Sequence, residues 1–158
     1  FTGLDGKDNS EMVQLAHDRI LEDIERAGVR PVTLPTIPQL RMTRKLVGKY
    51  ELDAAEAHKR FESSIGMISD WRERGPVYEI PFETLCTDEC VNVFAAGRCI
   101  SVTDLMWDIS RVIPACAVTG EASGTAAVLA AKNGGVDLSA LQKILMRGGA
   151  VLHEDELD

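Results

Sequence analysis

The 158 residues include 25 acidic and 17 basic side chains, for a net charge of −8 and a pI near 4.9, which argues against a partner held through a nucleic-acid phosphate backbone. Hydrophobic residues at 45% and charged ones at 27% suit one globular core, but aromatics at 5% leave that core to Leu, Ile, Val and Ala. No apolar run reaches membrane-spanning length without a charge, proline or glycine, and no signal peptide opens the chain, so a cytoplasmic protein with no membrane span is expected.

Residues 1–9 are polar and show no period. Asn9 or Ser10 is a suitable cap for a helix in which Val13, Ala16, Ile20, Ile24 and Ala27 form one apolar stripe, and Gly28 stops it. Residues 30–38 hold three of the six prolines and read as an extended connector. Residues 39–52 are strand-like, with Arg41 and Arg44 three apart. Side chains alternate along a strand, so these two need a bulge or bend to converge; the plain alternative is a salt bridge for each. Asp53 caps a short surface helix over 53–61. Trp71 is expected to pack at a core edge, the alternative being the lining of a pocket. Tyr78, Ile80 and Phe82 alternate with polar residues in an edge strand, since Pro81 removes a ladder donor.

Residues 91–97, VNVFAAG, form a short apolar run closed by glycine and read as a buried strand. Asp104 and Asp108 then serve either as turn and cap residues or as a proton-handling pair. Pro114 opens a long helix that ends at the Asn133-Gly134-Gly135 stop. Glu121 is its only charge between 114 and 131, so the helix should be buried on most of its circumference. Cys116, Gly120, Ser123, Gly124, Ala127 and Ala131 make a stripe of small groups, and two interior glycines cost about 1 kcal/mol each. Something therefore comes close to this backbone. It is either a packed sheet or helix, or a cofactor at the helix N-terminus, where free N–H groups collect electronegative atoms. Residues 136–147 form a last amphipathic helix capped by Asp137, followed by a disordered acidic tail, HEDELD. The four cysteines lack the paired spacing and nearby histidines of a zinc site, so free thiols and no metal are expected.

AAGRCIS (95–101), SRV followed by a proline and a cysteine (110–116), and GEASGTAA (120–127) together resemble the C-terminal flavin-facing segment of FAD-dependent oxidoreductases. Within these the sequence is most similar to the fumarate reductase and succinate dehydrogenase flavoprotein group. RMTRKLVGKYEL (41–52) resembles the Arg-x-Thr-Arg strand of that group, and YEIPFETL (78–85) the approach to its last strand, so the likeness runs in order over residues 37–151. It implies FAD as cofactor. Gly97 and Arg98 would lie along the ribityl and ring region, and Arg111 with the amides of Ala115 and Cys116 at the pyrimidine end of the ring. Arg41 and Arg44 would be catalytic, gripping a small carboxylate-bearing substrate. In the segment 101–110 the chain departs from the group, which leaves the substrate open.

The GxGxxG turn that holds the ADP half of FAD occurs nowhere in the sequence, and the glycines of GEASGTAA lie inside a helix. The expectation is an α+β fold that is a fragment of a two-domain flavoprotein. Residues 1–75 would belong to the substrate or cap region, and residues 76–158 to the C-terminal part of the FAD-binding region. The parent would pass hydride or electrons between FAD and a small organic substrate. The fragment alone would be inactive and FAD-free, lacking its N-terminal FAD-binding portion, and would pair into a homodimer through the exposed apolar helix. The alternative is a non-catalytic α+β self-association module.

Overall fold

The structure is a computed structural model that describes residues 1–28 and 40–157. It divides into two compact units, residues 1–43 and 44–158. In the first, α1 (Gly6–Ala27) begins before Asn9 and Ser10 because Asp5 caps it, its side chain accepting from the Asp8 N–H at 2.9 Å. The Asp8 carboxylate in turn accepts the N–H groups of Gly3 and Thr2, both at 2.7 Å, and these bonds hold its carboxyl below the usual range. The Ser10 hydroxyl is used inside the helix, donating to the Gly6 carbonyl at 2.8 Å. Gly28 stops α1 in the left-handed conformation, as expected. The stripe Val13, Ala16, Ile20 and Ile24 is only half-buried. The proline-rich connector and the first residue of the expected strand lie outside the described residues.

The second unit is α+β. β1 (Ser64–Ser69) and β2 (Val77–Pro81) pair antiparallel, with Met67 opposite Glu79 and Ile68 opposite Tyr78, and the register slips between Ser64 and Met67. α2 (Asp104–Ser110), α3 (Ile113–Asn133) and α4 (Leu138–Arg147) follow, and α3 packs on both β1 and α4. Leu52, Ile65, Ile80, Ile100, Ile109 and Leu145 are among the fully buried side chains at the centre. The aliphatic core that the composition requires is thus present.

Several expected elements change. The 39–52 strand is reduced, among its described residues, to irregular chain ending in a bridge from Leu52 to Val102. The short helix after Asp53 is a single 3₁₀ turn, Ala54–Glu56, closed by a reciprocal Asp53–Glu56 capping box. The 91–97 segment is no strand, and Val91 is 83% exposed. The boundary expected at residues 75 and 76 falls in the connection between β1 and β2. α3 is not buried all round. Only Ala115, Thr119, Ala122, Ser123 and Ala126 are, while Ile113 is 85% exposed. α3 is also long and apolar enough by composition to cross a membrane, a test that core helices of globular proteins pass as well.

Residues 153–157 of the acidic tail are bound rather than disordered. Glu79, 4% exposed on β2, accepts the Phe61 N–H at 2.7 Å and the Glu154 N–H at 3.3 Å, and its carboxylate lies 3.0 Å from His153 Nδ1. His58 meets Glu154 at 2.9 Å, and Arg60 meets Asp155 at 2.6 Å. A buried carboxylate that accepts two backbone N–H groups and meets a histidine nitrogen is a strong anchor, which the charge run itself did not announce.

Asp70, at the end of β1, is also buried and accepts from the Arg72 backbone N–H and Nε at 2.9 Å and from Nη2 at 2.6 Å. The Arg72 guanidinium holds its carboxyl below the usual range, outweighing burial. A depressed folded-state value contributes stability that is present above the ordinary Asp value of about 4 and is lost as pH falls through the lower folded value. Asp70→Asn should therefore lower Tm at neutral pH and flatten its fall on the acid side. Melting curves from pH 7 to about pH 3 check this; parallel acid limbs for both proteins would exclude the contribution.

Candidate functional site

The 91–97 segment fails as a strand because its backbone is satisfied from elsewhere. The Ala95 N–H donates to the Leu85 carbonyl at 2.7 Å, and the Ala95 carbonyl accepts the Ser123 hydroxyl at 2.6 Å. The Gly97 N–H donates to Thr119 Oγ at 2.8 Å, while the Thr119 hydroxyl donates to the Ala115 carbonyl at 2.7 Å. Ser123 and Thr119 stand one turn apart on the buried face of α3, so the segment lies directly on that helix. Gly97 is buried with φ +66°, and a Cβ there would come within 3.2 Å of Cys116 Sγ. The backbone angle calls for glycine, and a side chain there would need the Cys116 thiol to give by a few tenths of an ångström.

From Gly97 the chain makes the 3₁₀ turn Gly97–Cys99, in which Arg98 is exposed. Its carbonyl accepts Trp107 Nε1 at 2.6 Å, tying the turn to α2. Trp107 is buried, whereas Trp71, expected at a core edge, is 55% exposed and donates to the Asp108 carbonyl at 3.1 Å. The Asp108 carboxylate is committed to Arg111, with Nε at 2.8 Å and Nη2 at 2.6 Å and both side chains about three-quarters buried. Asp108 is therefore an ion-pair partner at the α2–α3 junction.

Val112 caps α3, Ile113 is its first residue and Pro114 its second, one position later than expected. The Cys116 N–H is spent on the Val112 carbonyl at 3.0 Å, and Ala115 is fully buried. The surface of this first turn is thus Ile113 and Pro114, and the positive end of α3 is reached past them. The structure sets Gly97 against Cys116, links Arg98 through Trp107 to α2, and seats Arg111 and Ala115 in the junction that follows. Arg41 and Arg44 fall on either side of the division between the two compact units, Arg41 in residues 1–43 and Arg44 in residues 44–158. Sequence reasoning passed over Thr119, although a hydroxyl one turn before Ser123 in so apolar a helix was a readable signal. Among the described residues no cluster of three or more His, Cys, Asp or Glu could hold a metal ion.

A family profile described as FAD dependent oxidoreductase matches residues 5–145. The chain belongs to that family. No curated protein and no solved structure matched it. Flavin is the cofactor of that family. Gly97 offers backbone with no side chain, and Gly120 and Gly124 have no atom within 4 Å of where a Cβ would stand. A flat apolar group could lie against Gly120 and Gly124 without displacing side chains of the described residues, whereas Gly97 is buried against Cys116 and Thr119. No GxGxxG turn is available for the ADP half.

Gly97→Ala should destabilise the chain by about 1–2 kcal/mol from the left-handed backbone alone, with a further cost from the Cys116 contact. Combining it with Cys116→Ala should recover only the second share. Urea unfolding of the two single variants and the double variant measures both, and a neutral Gly97→Ala would mean the turn is not held as described.

Proposed function

We propose that this chain is the flavin-ring-facing portion of an oxidoreductase of the fumarate reductase and succinate dehydrogenase type, acting on a small organic substrate that bears a carboxylate. The observation that carries the reading is the seating of Gly97 on Cys116 and Thr119 beside the start of α3, in a chain whose family is FAD dependent. In this reading residues 76–158 complete the FAD-binding region and residues 1–75 reach toward the substrate. The ADP half would be held by an N-terminal strand–turn–helix portion outside these 158 residues, which would also cover the open face of α3. Arg41 and Arg44 would bind the substrate carboxylate through their guanidinium forks. The cytoplasm is the proposed location.

FAD, when bound, supplies the hydride or electron chemistry. The chain's own residues orient and neutralise. Arg98 reaches outward from a turn whose backbone is fixed, and so can retain the cofactor. Arg111 and the positive end of α3 place charge where electron density gathers on the ring, an effect worth roughly 0.3–2 kcal/mol. Asp108 moderates it, because its carboxylate is paired to the same guanidinium. A second reading is favoured by one observation: Ile113, 85% exposed, and Val128, 52% exposed, lie on a helix face that two copies of this chain could share as a homodimer without any redox role.

The test uses the holo flavoprotein that contains this chain. Arg111→Ala should make the flavin midpoint potential more negative, Asp108→Ala should make it more positive, and Arg98→Ala should mainly weaken FAD retention. Spectroelectrochemical titration separates the outcomes. Unmoved potentials with FAD fully bound would mean that α3 faces something else, and a chain that dimerises but never acquires flavin would favour the second reading.

A further inference from the structure

A cavity of about 300 Å³ opens beside the loop that follows β2, and two cysteines line it, Cys86 and Cys90, together with Lys49, Phe82, Phe94 and Val136. Both are free thiols, Cys86 buried and Cys90 exposed. The chain at Cys86 is fixed, since its carbonyl accepts the Lys49 N–H at 2.9 Å and the neighbouring Leu85 carbonyl accepts the Ala95 N–H at 2.7 Å. The chain at Cys90 belongs to an exposed arm that turns between the two, where the Glu89 N–H lies 3.4 Å from Thr87 Oγ. Lys49 reaches across the rim to Asp88 at 2.9 Å. The other two cysteines are placed apart from this wall. Cys99 sits in the Gly97–Cys99 turn, its thiol near the Ala96 carbonyl, and Cys116 packs on Gly97.

We propose that Cys86 and Cys90 form a reversible dithiol–disulfide pair that reacts with hydroperoxides and is reset by small thiols. The division of labour follows from exposure. Cys90, exposed to water, supplies the attacking thiolate. Burial pushes the Cys86 thiol up, which suits a second thiol that stays protonated until needed. In the first step the Cys90 sulfur attacks the peroxide, the O–O bond breaks, and a sulfenic acid and one water (or alcohol) form. In the second, Cys86 sulfur attacks the sulfenic sulfur, releasing the other water and forming the S–S bond. Overall two thiols and one hydroperoxide yield one disulfide and two hydroxylic products, so atoms and electrons balance. Three residues separate the pair, and an exposed disulfide closing so short a loop belongs to the readily reduced class. The inference stands apart from the flavin reading, since it uses only groups around this cavity.

The whole 158-residue chain is treated with a small excess of hydrogen peroxide, denatured, alkylated and digested with trypsin. Residues 75–98 should appear as one peptide lighter by two hydrogen atoms and unalkylated at both cysteines, while Cys99 and Cys116 remain alkylated. Dithiothreitol should restore both alkylations. In Cys90→Ser the oxidation at Cys86 should disappear; in Cys86→Ser, Cys90 should stop at the sulfenic acid, trapped by dimedone. Full alkylation of Cys86 and Cys90 after peroxide would overturn the proposal. So would a Cys90 disulfide to Cys99 or to a second chain.

Discussion

Among the described residues the sheet has two strands, whose edges need partners, and side chains take the place of further strands. On β1, Gln142 of α4 donates to the Glu62 and Ser64 carbonyls at 2.8 and 3.0 Å, and the Ser64 hydroxyl donates to the Leu152 carbonyl at 2.6 Å. Across the unit, Thr119 and Ser123 of α3 hold Gly97 and Ala95. Glu79 holds Phe61 and Glu154. Each such bond is worth only about 0.5–1.5 kcal/mol net, but losing one buried partner costs more than the bond contributes. The arrangement therefore depends on every one of these polar groups being in place, and α3, α4 and the tail are fixed to the same small sheet by them.

That dependence explains what could be read from residues and what could not. Gly28 and Asp137 mark helix ends through local chemistry, a positive φ and a side-chain cap, and both helices end where those residues stand. β2 was legible from its alternation, though Glu79 is buried rather than outward. The 91–97 run was misread because a continuous apolar stretch signals burial without saying what lies beside it. Its backbone partner is a helix hydroxyl, which no periodicity encodes. β1 was missed for the converse reason. The register shift between Ser64 and Met67 breaks the two-residue period, and the groups that bond to this strand lie on α4 and at Leu152, far along the chain. HEDELD reads as a solvated charge run until His58, Arg60 and Glu79 are seen to face it.

The candidate site was legible to the extent that glycine has a reason. Gly97 is demanded by its angle and faces Cys116, so a small residue there could be expected to mark a close approach. The arginines carried no comparable local signal. Arg111 is defined by Asp108, three residues earlier and on the same helix-to-helix turn, and a charge with so near a partner acts as a dipole more than as a bare cation.

α3 joins these two levels. Its inner stripe is closed by the Thr119 and Ser123 hydrogen bonds, while Gly120 and Gly124 have, among the described residues, no atom where a Cβ would stand. Glycine in a helix interior is disfavoured by about 1 kcal/mol relative to alanine, so a purely structural helix gains nothing from two of them facing open space. Among the described residues no atom lies where a Cβ of either glycine would stand, so their cost is not recovered by the contacts that hold the inner stripe. The N-terminal end of α3 thus carries a closed face, where Gly97 meets Cys116, and an exposed one at Ile113, so a change at Gly97 is felt by the core while a change at Ile113 is felt by its surroundings.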